Sequence, residues 1–118
     1  RRAALGGSHW RGLPVILPRR GLDRERIDAW FQARSAQPEI YAEVEGNEAI
    51  LAMVALGCGV GVVPELVRKD STLRSRIEAV DVARPPRGYH VSLCARERTL
   101  ARRTAAALWE LAPTSASV

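Results

Sequence analysis

A helix apolar on every side, running into a strand apolar on every side, restricts this chain more than any other feature. Ala49-Ile50-Leu51-Ala52-Met53-Val54-Ala55-Leu56 carries no polar side chain. A helix there has no face to offer water and must be buried. Gly57 caps it at the C-terminus, and Val60 to Val63 follows as a short strand of the kind buried on both faces. Pro64 then opens a short helix through Val67. Such a pair needs a layer on each side, which points to an α/β domain with a mainly parallel sheet.

The rest of the chain keeps the alternation. Leu13 to Leu17 reads as a buried strand, with Pro14 tolerable at its first or edge position. Pro18 to Gly21 is a loop. From Leu22 the period changes to that of a helix, with Ile27, Trp30 and Phe31 inward and Asp23, Arg24, Glu25 and Arg26 facing water. This helix should stop before Pro38. Ile40 to Val44 is a second strand, broken by Gly46; Asn47 is the expected N-cap of the apolar helix, with Glu48 at its positive end. Ile77 to Val82 is expected to be a fourth strand and Pro85-Pro86-Arg87-Gly88 a turn. Tyr89, Val91, Leu93 and Ala95 alternate with His90, Ser92, Cys94 and Arg96 as a half-exposed strand. Thr99 then caps a last helix, with Leu100, Thr104, Ala107, Leu108 and Leu111 on one face and Pro113 at its end. Residues 114–118 form a frayed tail.

Composition narrows the function classes. At 118 residues, 47% hydrophobic and 26% charged, the chain suits one globular domain and not a disordered or fibrous one. No apolar run approaches the roughly 18 residues of a membrane span. Arg1 and Arg2 followed by Gly6, Gly7 and Ser8 do not read as a signal peptide. Met53 is the only methionine, so a processed chain or a piece of a longer protein is expected. The net charge of +5 is almost wholly arginine, scattered from Arg1 to Arg103, with aromatics at only 5%. That pattern reflects arginine-rich composition rather than a nucleic-acid face. Cys58 and Cys94 both read as buried and reduced, which suits a cytoplasmic protein. Neither His9 nor His90 falls at metal-ligand spacing with them.

Enzyme signatures are thin, and no enzyme, metal site or cofactor is expected. The glycines of Gly57-Cys58-Gly59-Val60-Gly61 follow a helix and open a strand, the reverse of a dinucleotide fingerprint. There is no Gly-x-Ser-x-Gly elbow, and Cys94 with His90 reads as packing. Glu43 and Glu45 share a strand face and read as a solvated strand end. In a parallel sheet, ligands gather at the carboxyl ends of strands. Leu17 to Gly21 and Val44 to Glu48 are such junctions, with Val63 to Glu65 expected beside them. Glu45-Gly46-Asn47-Glu48-Ala49 presents free N–H groups at a helix start, which serve either as a structural cap or as a carboxylate site.

Two stretches, Glu45-Gly46-Asn47-Glu48-Ala49-Ile50 and Met53 through Glu65, resemble the effector-binding domain of LysR-type transcriptional regulators. Leu13 to Leu17, Arg26-Ile27-Asp28-Ala29-Trp30-Phe31, Pro38-Glu39-Ile40-Tyr41-Ala42 and Leu93-Cys94-Ala95 before Trp109 are similar to the branch of that family acting in isoleucine–valine biosynthesis. The resemblance covers about residues 10–112. It implies a fold like a type II periplasmic binding protein, here truncated. Residues 1–12 would be a connector, 13–88 the distal effector-binding subdomain, and 89–118 the return strand and helix of the proximal subdomain. It also implies a 2-acetohydroxy acid co-inducer, acetolactate or acetohydroxybutyrate, held by Gly46, Asn47 and Glu48, with Pro18, Arg19, Pro64 and Glu65 nearby. DNA would be bound only through an N-terminal domain outside this chain, and the protein would pair as a homodimer, a tetramer at full length. Two rivals remain: a stand-alone solute-binding protein of the same fold, and a small α/β enzyme.

Overall fold

The computed structural model describes residues 10–88 and 92–112. The chain divides into two compact units, Arg1–Arg87 and Gly88–Val118.

The first unit is built on three parallel strands: β1 (Pro14–Pro18), β2 (Glu39–Val44) and β3 (Val60–Gly61), ordered β2-β1-β3. Helix α1 (Leu22–Gln32) carries the chain from β1 to β2, and α2 (Asn47–Ala55) carries it back across β1 to β3. Helix α3 (Glu65–Asp70) and a 3-10 turn at Arg74–Arg76 follow. β1 is the centre of the fold, and its Val15, Ile16 and Leu17 are almost wholly removed from water. Each such side chain contributes roughly 1.5–3 kcal/mol of hydrophobic stabilisation.

Because successive strand residues face opposite ways, Val15 and Leu17 join one layer and Ile16 the other. On the first side they meet Ile27, Trp30 and Phe31 of α1, together with Trp10. The three rings of Trp10, Trp30 and Phe31 contact one another edge to face at 5.1–5.4 Å, pairs worth about 0.5–1.5 kcal/mol beyond area burial. Trp10 is therefore core and not connector. A bulge between Val15 and Ile16 sets Ile40 against Val15 but Ala42 against Ile16. The skipped residue brings Glu43 opposite Leu17, on the α1 side.

The turn from α2 into β3 closes as expected from Gly57. The Gly57 N–H donates to Val54 O at 2.9 Å and the Cys58 N–H to Met53 O at 3.0 Å, the paired bonds of a Schellman cap. A Cβ on Gly61 would lie 2.5 Å from Ile50 Cγ2 and 3.0 Å from Val54 Cγ2. Glycine there lets α2 press directly on the sheet.

Several expected elements differ. Strand β2 is largely exposed, as suits an edge strand. The expected strand Ile77 to Val82 has no ladder among the described residues and only an isolated bridge position at Val82; of its residues only Ile77 is buried. In the second unit, residues 92–96 are exposed and irregular, and 89–91 lie outside the described residues. A strand needs a partner to take its N–H and C=O groups, and this unit offers none among the described residues. Cys94 is accordingly exposed rather than buried, while Cys58 is half-buried; both are free thiols. The last helix is interrupted: a 3-10 turn at Glu97–Ala101 breaks at Arg102 (ψ 133°) before α4 (Arg103–Leu111) begins. Thr99 therefore lies inside the turn and does not cap α4. Helix α4 buries none of its residues, leaving Leu108, Trp109 and Leu111 exposed. Pro113, His9 and His90 lie outside the described residues.

Candidate functional site

The connections leaving β1 and β2 run in opposite directions across the sheet, which opens a crevice at the carboxyl ends of the strands. The loop after β1 occupies its centre. The Arg19 N–H donates to Val44 O at 3.0 Å, carrying the β1–β2 ladder one residue beyond the strands. Pro18 and Arg19 are thereby set beside Glu45 and Gly46. Glu45 Oε1 lies 3.3 Å from Arg20 Nη2 and 3.9 Å from Arg19 Nη1, all at the surface. Pairs so exposed contribute about 0–1 kcal/mol each, and both arginines stay available to an incoming anion.

Beneath this rim Arg24 holds the loop in place. Its Nε donates to both Asp28 oxygens, at 2.9 and 3.1 Å, and its Nη1 to Pro18 O at 3.1 Å. Nη1 also lies 3.1 Å from Glu43 Oε1, the carboxylate that the bulge turns to this side. Arg24 does not face water as its helical position suggested; its side chain keeps only 18% of its exposure. The four-residue spacing of Arg24 and Asp28 signals their contact, whereas the Arg20 and Glu43 contacts depend on strand register.

At the start of α2, Gly46 takes the cap position at φ 87°, and its carbonyl accepts the first helical bond from the Ile50 N–H at 3.4 Å. Asn47 is the first helical residue, and no side chain caps the helix. The expected Asn47 cap is thus displaced by one residue. Glycine adopts the left-handed turn out of β2 without penalty, so the helix closes immediately behind it. The N–H groups of this first turn have no intrahelical acceptor. The Glu48 carboxylate turns aside and accepts from Ser71 Oγ at 3.2 Å.

Pro64 and Glu65 stand at the start of α3, after β3, on the other side of β1. Glu65 is engaged within its own helix, with Arg68 at 2.6 and 2.8 Å and Lys69 at 3.6 Å. The hydrogen bond from Arg68 holds its carboxyl down to about 2, against an opposing desolvation and with help from the nearby charges of Arg68 and Lys69. Pro18, Arg19, Gly46, Asn47 and Glu48 therefore lie along one edge, and Pro64 and Glu65 follow the strand on the other side of β1.

Chemically this edge suits an anion: unspent backbone N–H groups, about half a positive charge from the helix start, and two arginines. Among the described residues no group of three His, Cys, Asp or Glu could hold a metal ion. A second concavity of about 390 Å³ opens beyond β3, walled by Gly59 to Val63 and by Ile77 to Val80. It takes in Glu65 but none of the other expected site residues.

Comparison with known proteins identifies the family of the chain. The family described as "LysR substrate binding domain" matches residues 2–116. The HTH-type transcriptional activator IlvY of Salmonella typhimurium is 35% identical over 107 residues, which cover 88% of this chain and 36% of that protein. The HTH-type transcriptional regulator IlvY of Escherichia coli K12 gives the same identity and coverage. The IlvY activator of Haemophilus influenzae is 31% identical over 86% of this chain and 35% of its own length. The chain thus spans about a third of the length of these relatives. No solved structure matches.

Proposed function

The chain belongs to the LysR substrate-binding-domain family, and from that premise we propose that it is the co-inducer-sensing portion of a DNA-binding transcriptional activator of isoleucine–valine biosynthesis. Its fold is that of a type II periplasmic binding protein. Residues 13–88 form the distal subdomain, and 89–118 return to the proximal one. The effector is acetolactate or acetohydroxybutyrate, whose carboxylate is held by the backbone N–H groups of Gly46, Asn47 and Glu48. Arg19 closes on the same carboxylate from the neighbouring loop. Pro18, Pro64 and Glu65 shape the rim. DNA is bound through a domain outside this chain, and the regulator works in the cytoplasm as a homodimer or a dimer of dimers. No helix among the described residues is long and apolar enough to cross a membrane.

The observation that supports this reading best is the bond from the Arg19 N–H to Val44 O, because it sets a cationic loop against an uncapped helix start. Three donors converging on one carboxylate, each worth roughly 1.5–3 kcal/mol, would account for useful affinity.

Asn47→Asp in the full-length regulator tests it. Since Asn47 does not cap α2, an aspartate in the first turn should leave stability unchanged or raise it by about 0.3–1 kcal/mol. The same negative charge faces the co-inducer carboxylate and should weaken its binding at least tenfold. Unchanged affinity for acetolactate in a calorimetric titration would remove the ligand from this edge.

A further inference from the structure

We propose that Arg24 is a positioning residue for the co-inducer: it locks the peptide group between Pro18 and Arg19 in one orientation and thereby fixes where the Arg19 side chain leaves the backbone. The inference rests on the effector reading above.

A single peptide group carries the argument. Its carbonyl, Pro18 O, accepts from Arg24 Nη1 at 3.1 Å. Its N–H, that of Arg19, donates to Val44 O at 3.0 Å. The peptide unit is planar, and its C=O and N–H point in opposite directions. Held at both ends, it cannot rotate without breaking a bond on one side. The pairs from Arg19 and Arg20 to Glu45 are exposed and too weak to set the loop by themselves.

Arg24 is built for this task. Its Nε is anchored on both oxygens of Asp28, one turn along α1, which aims Nη1 at the loop. The same Nη1 lies 3.1 Å from Glu43 Oε1 on β2, so one guanidinium ties α1, the end of β1 and the neighbouring strand together. Burial works against its charge, and the hydrogen bonds with Asp28 and Glu43 more than offset it, raising its pKa. Two carboxylates surround one cation here, so the cluster as a whole does not attract an anion. Its contribution to the edge is placement, and placement within a fraction of an ångström decides whether converging donors meet a ligand.

Arg24→Lys tests this in the full-length regulator. Lysine keeps the charge but offers one nitrogen in place of Nε and Nη1, so it cannot hold Asp28 and Pro18 O from separate atoms. The Arg19 amide should exchange at least tenfold faster than in the wild type. The amides of Ala33 and Leu56, bonded within α1 and α2 to Ala29 O and Ala52 O, should exchange as before. Acetolactate affinity, read by calorimetry, should fall at least fivefold. Asp28→Ala leaves Arg24 and every loop residue in place, and it should shift both readouts in the same direction. Unchanged Arg19 exchange in both variants would overturn the proposal, as would equal acceleration at Ala33 and Leu56, the mark of a merely structural role. Undiminished acetolactate affinity in Arg24→Lys, beside a loss in Asn47→Asp, would refute the positioning role alone. Undiminished affinity in both variants would take the effector reading down with it.

Discussion

The Ser71 hydroxyl donates to Glu48 Oε2 at 3.2 Å while accepting the Leu73 N–H at 3.1 Å, so one buried side chain joins the end of α3 to the first turn of α2. Ser71 is the buried polar residue of the core among the described residues, at 3% exposure. Ser71→Ala should cost about 1 kcal/mol, because it leaves the half-buried Leu73 N–H without its acceptor. It should also free the Glu48 carboxylate to swing toward the proposed anion site. Denaturant midpoints check the first effect, and a several-fold loss of co-inducer affinity in the full-length protein checks the second.

Gly61 is fixed by space rather than by backbone angle. An added methyl meets Ile50 Cγ2 at 2.5 Å and Val54 Cγ2 at 3.0 Å, and both belong to α2, the helix that starts behind Gly46. Gly61→Ala is expected to destabilise by about 1–3 kcal/mol through overpacking. Pairing it with Ile50→Val should recover part of that loss. A double-mutant cycle with no coupling would refute the contact.

Trp30 does more than fill the core. Its indole N–H donates to Arg84 O at 2.7 Å, and the Arg34 guanidinium lies over its ring at 4.0 Å while also bonding Arg84 O. These donors hold Arg84 at φ 54°, a left-handed value that costs a side-chain-bearing residue about 1–2 kcal/mol. Trp30→Phe keeps the ring packing and removes the donor. It should cost about 1–2 kcal/mol and raise protease sensitivity between Ala83 and Arg87, read by limited digestion.

Glu65 makes stability depend on acid pH. Its folded carboxyl sits at about 2, below the ordinary 4.5, chiefly through the Arg68 hydrogen bond. A depressed carboxyl contributes stability that is complete above the unfolded value and is lost as pH falls toward the folded one. The wild type should therefore exceed Glu65→Gln in melting temperature by a constant, small margin above about pH 5, and the margin should vanish near about pH 2. The side chain's exposure keeps the effect small.

Local chemistry made the first half of the fold legible. Ile27, Trp30 and Phe31 declared α1 by spacing, and Gly57 declared the end of α2 because its cap is closed by bonds within five residues. Strands that depend on distant partners were not legible. Ile77 to Val82 and Tyr89 to Arg96 have strand-like patterns, yet a pattern does not supply the neighbouring backbone. Trp10 was misread for the same reason: its partners, Trp30 and Phe31, are twenty residues away. At the candidate site, the strand-end positions of Pro18 and Gly46 were legible from the alternation of elements. The cap displaced from Asn47 to Gly46 and the roles of Arg20 and Arg24 were not, since they depend on a φ value and on a bulge at Tyr41.

The rim at the end of β1 has a kinetic consequence. Arg19 and Arg20 share the carboxylate of Glu45 at the surface, so two exposed cations stand where, on the proposed reading, an acid metabolite would arrive. Those guanidinium groups would act on a carboxylate over about one Debye length, roughly 8–10 Å at physiological salt, before any hydrogen bond forms. If the proposed edge is the effector site, capture should slow as ionic strength rises, while escape, which would depend on short backbone contacts around Gly46, should change little. On that reading the rim arginines would set how quickly a metabolite is reported, and a different group of atoms would set how long the signal persists.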